Sequence, residues 1–224
     1  MNRQLFCVRH THHIEHPALP ELWNGDTGRR LLRDTSELPA VRARLEHALV
    51  VAERDGAADQ AEVALVLRHL GCAHHDLAAL ADGRACLERA LAIHEASEGP
   101  SSGEVAIDLQ LLGRMLRDLG DVAGSRACLE RAVAIDEEVH GSRHPTVAID
   151  LRALSQLFLE AGELTAARRS CERALAIDRV ASGRGHPVVA TDLRQLAHIL
   201  WDMGDRYGAD WCFAGAQEID RTAR

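Results

Sequence analysis

The sequence contains no lysine: all 26 of its Lys+Arg residues are Arg. This excludes every chemistry that depends on a lysine, including a phosphate-loop nucleotide site, a Schiff base and a Ser–Lys hydrolase. Aromatic residues are almost as scarce, at 3%. With abundant Ala, Leu and Arg, that scarcity favours helices over strands. The start of the chain, MNRQLFCVRHTHHIEH, lacks the apolar run of a secretory signal. No later stretch approaches the ~20 apolar residues that span a bilayer, so the chain is expected in the cytoplasm and off the membrane. Positive charge is also deficient. The formal net charge of −8 argues against nucleic acid, whose binding needs clustered cations to displace phosphate counterions. There is no Gly-x-Ser-x-Gly, His-Glu-x-x-His, Gly-x-Gly-x-x-Gly or paired Cys-x-x-Cys. No catalytic residue, cofactor or specific metal site is expected, and the chain reads as non-enzymatic.

A 42-residue repeat is what the sequence does contain. Val-Ala recurs at Val63-Ala64, Val105-Ala106, Val147-Ala148 and Val189-Ala190. The same step joins Leu67, Leu109, Leu151 and Leu193, and then Gly120, Gly162 and Gly204, with Ala78 in the first copy. A second block follows each time, as in Cys86-Leu-Glu-Arg-Ala90 and Cys128-Leu-Glu-Arg-Ala132. Each copy reads as two helices. Val105, Leu109, Leu112 and Leu116 fall on one helical face, and the glycine ends that helix. Small residues (Gly71, Gly113, Ser155, Ala197) stand where helices must approach closely. His144-Pro145 and His186-Pro187 mark the starts of new repeats.

The expected organisation is a loosely ordered segment at 1–20, a degenerate leading repeat at 21–61, and repeats at 62–103, 104–145, 146–187 and 188–224, the last with a C-terminal cap. Within the leading repeat, a helix is expected only from about Thr27 to Arg33. Cys7, His10, His12, His13 and His16 form an N-terminal cluster that would take metal only opportunistically. The remaining cysteines read as small buried hydrophobes rather than disulfides. Asp108, Asp150 and Asp192 read as first-turn carboxylates that complement helix dipoles.

The chain resembles tetratricopeptide repeats of the long, 42-residue variety found in kinesin light chains and bacterial signalling proteins. The signature maps onto Leu109, Leu112, Gly113 and Leu116, then Ser125, Leu129 and Ala132. The resemblance implies an all-α, right-handed superhelical solenoid of antiparallel helix pairs whose first helices line a concave face. The family's inward-facing positions carried over here give Arg68, Gln110, Arg152 and Arg194; then Arg114, Gln156 and His198; then Arg117 and Trp201. An acidic stripe of Asp76, Asp118, Glu160 and Asp202 runs beside them. The implied function is a protein-interaction scaffold that takes a peptide or protein segment in this groove, where Arg forks suit carboxylates or backbone carbonyls. The alternative is a regulatory sensor subunit acting on a separate signalling ATPase or transcription regulator. Trp201, Tyr207, Trp211 and Phe213 gather most of the aromatics at one end. They read as a terminal cap, with self-association through the terminal repeats as the alternative.

Overall fold

The computed structural model describes residues 38–54 and 60–222. The N-terminal histidine cluster, the segment 1–20 and the helix expected near Thr27–Arg33 lie outside those residues. The described residues are helical throughout, with no strand, and form two compact units that meet in sequence at Pro100 and Ser101. The first unit holds α1 (Leu38–Arg54), α2 (Gln60–Asp76) and α3 (Leu80–Glu98). The second holds α4 (Gly103–Asp118), α5 (Val122–His140), α6 (Pro145–Glu160), α7 (Leu164–Ala181), α8 (Pro187–Asp202) and α9 (Arg206–Thr222).

Helix pairs form where the repeat places its apolar faces and stops. In the second unit the α4–α5 turn is set by Gly120, at φ +83°. Its left-handed conformation lets the Asp121 N–H reach back to the Leu116 carbonyl at 2.9 Å, closing a helix end that would otherwise leave carbonyls unpaired. Gly162 and Gly204 repeat this geometry, with φ +76° and +86°. In the first unit Ala78 takes the same role at φ +61°, a conformation that L residues adopt only at a cost.

The first helices of the second unit's repeats are capped by side chains. Ser102 Oγ accepts the Val105 N–H at 3.2 Å. The next two repeats use histidine instead: His144 Nδ1 accepts from Thr146 N at 3.4 Å, and His186 Nδ1 from Val188 N at 3.2 Å. In each case the following proline occupies the first helical turn, where its missing N–H leaves no donor unsatisfied.

Within each pair the helices touch at the small residues. A Cβ added to Gly113 would stand 2.7 Å from Leu129 Cγ, and one added to Gly71 would stand 2.7 Å from Leu87 Cγ. Both leucines are almost fully buried, a burial that contributes roughly 1.5–3 kcal/mol for each side chain. One repeat later the pair is Ser155 and Cys171. The smaller thiol leaves room for a hydroxyl, which donates to the Ala167 carbonyl at 2.8 Å. The core of the second unit runs on through Leu154, Leu157, Phe158, Leu193, Leu196, Ile199 and Cys212. In the first unit Val41 and Leu45 of α1 pack against Val66 and Leu70 of α2.

Candidate functional site: a buried polar ladder and an exposed stripe

The residues expected to face a groove divide into two sets. The first set is internally paired and, apart from Arg194, lies mostly out of solvent. In the first unit Arg68 is buried, and its Nη2 lies 3.4 Å from His94 Nδ1. In the second unit Gln110 of α4 is buried and donates through Nε2 to Asp150 Oδ1 of α6. One repeat on, Arg152 of α6 donates through Nη1 to Asp178 Oδ2 of α7 at 2.8 Å and to Asp192 Oδ1 of α8 at 2.5 Å. Gln195 of α8 also donates to the Arg152 carbonyl at 3.1 Å. Arg194 of α8 pairs with Asp220 of α9.

These contacts correct the reading of the aspartates. Asp150 and Asp192 are not first-turn dipole partners; each is the sixth residue of its helix, and each is at most 1% exposed. They join neighbouring repeats. The offsets recur, because Gln110–Asp136–Asp150 and Arg152–Asp178–Asp192 both step by 26 and then 14 residues.

Burial raises the pKa of an aspartate at both joints. Asp150 is pushed up to about 8, first by desolvation and then by the neighbouring Asp136 carboxylate, against the opposing Gln110 hydrogen bond and the Arg114 charge. Asp192 is pushed up to about 7 by desolvation and Asp178, with Arg152 opposing. A low-dielectric site disfavours the charged form, and a second carboxylate disfavours it again. His140 stands at the edge of the first joint, with Nε2 3.9 Å from Asp136 Oδ1 and its ring stacked on His144 at 4.7 Å. Cys171, beside the second joint, is pushed up to about 12 chiefly by burial, so its sulfur is held as a thiol rather than as a nucleophilic thiolate.

The second set lies at the surface of the second unit. Arg117, in the last turn of α4, donates to Asp118 at 2.9 Å and reaches Glu160 of α6 at 3.7 Å. Gln156 Nε2 donates to Glu160 Oε1 at 2.7 Å. Arg114 is half-buried on the same helix as Arg117. Trp201, in the last turn of α8, is 47% exposed, and the Arg206 guanidinium lies 3.5 Å from its ring centroid. His198 meets the Phe213 ring edge-on at 5.3 Å. Arg117, Leu159 and Trp201 therefore share one register on three successive first helices, flanked by carboxylates and guanidinium groups.

The chemistry of the exposed stripe suits recognition by planar cations and an aromatic face. Among the described residues no group of three or more His, Cys, Asp or Glu is placed to hold a metal ion, and no helix is long and apolar enough to cross a membrane.

Comparison with known proteins agrees with the repeat geometry. Tetratricopeptide repeat models match residues 63–102 and 106–179. No curated protein matches the chain by sequence. The fold is similar to that of BtubC (BKLC) from P. vanneervenii, with a TM-score of 0.79 at 18% identity over 88% of this chain and 79% of that one. It is also similar to the kinesin light chain TPR-like repeats of Podosopora anserina, with a TM-score of 0.74 at 19% identity over 94% and 99%. MamA follows with a TM-score of 0.60 at 14% identity over 90% and 97%. Paired helices, left-handed turns at a fixed step and small residues at the helix contacts accompany these matches, and the chain belongs to the tetratricopeptide repeat proteins, with their all-α solenoid fold.

Proposed function

We propose that the chain is a non-catalytic protein-interaction scaffold. In this reading the surface of the second unit formed by Arg114, Arg117, Gln156 and Trp201 takes an extended peptide or protein segment of acidic or mixed charge. The repeats at 104–145, 146–187 and 188–224 are the units that present it. One observation carries the reading: a half-exposed tryptophan stands in register with Arg117 two first helices further on, although burying such a ring is a large source of interaction energy. Arg117 holds its carboxylates at the surface, where such pairs contribute only about 0–1 kcal/mol. An incoming carboxylate can therefore exchange with them at little cost. Arg152 is outside this proposal, because its guanidinium is committed to Asp178 and Asp192.

The test is affinity capture from source-cell lysate with the wild-type chain and an Arg117→Glu/Trp201→Ala variant shown by circular dichroism to keep its helices. A protein retained by the wild type and lost by the variant is the expected result. Retention of the same set by both folded proteins rejects the stripe as the binding surface.

A further inference from the structure

One exposed face of α9 breaks the repeat at several positions together. On α5 and α7 the equivalent positions hold Ala123 and Thr165, Arg126 and Arg168, Ala127 and Arg169, then Glu130 and Glu172. On α9 they hold Tyr207, Asp210, Trp211 and Ala214. In the earlier copies the arginine pairs with the glutamate one turn on, Arg126 with Glu130 and Arg168 with Glu172. On α9 a carboxylate replaces that arginine and a methyl group replaces its partner. Charge is thus reversed at the place where two aromatic rings appear.

The exposure of this face does not come from its place in the array. All of the equivalent residues on α5 and α7 are exposed as well, although α6 packs against α5 and α8 against α7. The face points away from the neighbouring repeats, and a further helix pair in the same register would leave it open. Tyr207 is 85% exposed and Trp211 59%. Among the described residues neither ring is in a hydrogen bond or ring contact, and Asp210, also exposed, is in no ion pair.

Tyr207, Asp210 and Trp211 stand at i, i+3 and i+4, which brings them to one side of the helix. The face of an aromatic ring attracts cations, and a guanidinium can both stack flat on a ring and donate to a carboxylate. The chain makes the first half of this contact itself at the preceding turn, where the Arg206 guanidinium lies 3.5 Å from the Trp201 ring centroid. We infer that Tyr207, Asp210 and Trp211 form a receptor for an arginine side chain on a basic segment of a partner protein. The guanidinium stacks on the rings and donates to the Asp210 carboxylate. A partner of opposite charge is favoured over a second copy, because two chains that each carry a net charge of −8 repel one another. The receptor lies on a second helix, apart from the Arg117–Trp201 stripe on first helices, and the inference stands without that reading.

The probe is the blocked peptide acetyl-Gly-Gly-Arg-Gly-Gly-amide, with citrulline in place of the arginine as its neutral isostere. Each is titrated into the isotope-labelled 224-residue chain while nuclear magnetic resonance follows the indole N–H signals of its 3 tryptophans. Trp211→Phe identifies the Trp211 signal. The arginine peptide should move that signal saturably, and the citrulline peptide should not. Asp210→Asn and Tyr207→Ala should each weaken binding about two- to fivefold, the range for an exposed ion pair and an exposed cation–π contact. Asp210→Arg, which restores the residue of the earlier repeats, should abolish it. All of these changes fall at exposed positions, and a dispersed spectrum verifies that each variant stays folded. A Trp211 signal that the arginine peptide leaves in place overturns the inference, as does an equal response to citrulline or an affinity that neither Asp210 variant changes. So does a dimer of the chain alone that Asp210→Arg dissociates, since the cation would then come from a second copy.

Discussion

The two joints of the second unit stand in the same register and differ at their centre by one residue, Gln110 against Arg152. Each joint buries two carboxyl groups, Asp136 with Asp150 and Asp178 with Asp192. Arg152 spans both of its aspartates, whereas the Gln110 amide reaches one. An arginine between two ionised aspartates leaves a net charge of −1; a glutamine between the same two leaves −2. One bound proton brings the glutamine joint to −1 as well. The ordering of Asp150 at about 8 above Asp192 at about 7 follows from this. A repeat can therefore exchange a fixed cation for a proton without changing the backbone around it. The glutamine joint then titrates at higher pH than the arginine joint.

Removing the central side chains should separate the joints most strongly. Arg152→Ala leaves Asp178 and Asp192 buried without their cation, a change that costs about 3–5 kcal/mol. Gln110→Ala removes one donor from an aspartate that is able to hold its own proton, and is expected to cost about 1–3 kcal/mol. Urea denaturation of the two variants at pH 6 compares them directly. Equal losses would mean that the cation is not what distinguishes the joints.

The pH dependence is a finer test. Asp150 has a folded value of about 8 against roughly 3.9 in an unfolded chain. Its contribution to stability is therefore fully present below the unfolded value, and declines as pH rises toward 8 at about 1.4 kcal/mol per pH unit. Asp192 follows the same sign and is already half deprotonated near 7. Between pH 7 and 8 Asp150 therefore accounts for the larger part of the decline that remains. Urea midpoints measured from pH 5 to 9 should keep falling through that last unit in the wild type. Asp150→Asn should remove the larger part of the final decline, and Gln110→Arg should shift its end toward lower pH. An unchanged slope in both variants would assign the proton to another group.

The helices and their contacts were legible because they are local or strictly periodic. Val105, Leu109, Leu112 and Leu116 mark a helical face by their spacing, and Gly113 marks a close approach because it recurs at the repeat step opposite a leucine. The turn glycines were legible for the same reason. The joints were not, since their members are separated by 26 and 40 residues and only folding brings them together. Asp150 and Asp192 near helix starts looked like dipole partners. A signal was nevertheless present: each is followed at once by a core leucine, as Asp192 is by Leu193, and Asp136, Asp178 and Asp220 share the 42-residue step. Two acidic columns in register with an arginine column describe a bridge between repeats better than isolated surface charges. The histidine caps were missed for a chemical reason. Serine and aspartate are the expected caps, and an imidazole serves only when its Nδ1 is free to accept.

Surface ion pairs on the second helices provide the smallest effect and sharpen the comparison by removing burial from it. Arg126–Glu130 on α5 and Arg168–Glu172 on α7 are the same pair one repeat apart, each 2.7–2.8 Å long with side chains about half exposed. If the joints differ because of their buried chemistry, and not because one repeat is intrinsically weaker, these pairs should contribute alike wherever their surroundings match. The surroundings differ in one respect. Arg126 also lies 3.3 Å from Glu163, and its guanidinium is 4.9 Å from the Phe158 ring centroid. Arg168→Ala is thus expected to lose only the few tenths of a kcal/mol typical of an i,i+4 pair. Arg126→Ala should lose more than that, because it also gives up the cation–π contact with Phe158. Thermal unfolding of both variants at low and high salt separates the contributions. Salt should erase the loss for Arg168→Ala and leave part of the loss for Arg126→Ala, because the ring contact also buries the arginine's apolar stem. A loss above 2 kcal/mol in Arg168→Ala would show that the repeats differ in intrinsic stability and that the contrast between Gln110 and Arg152 does not rest on the buried joints alone.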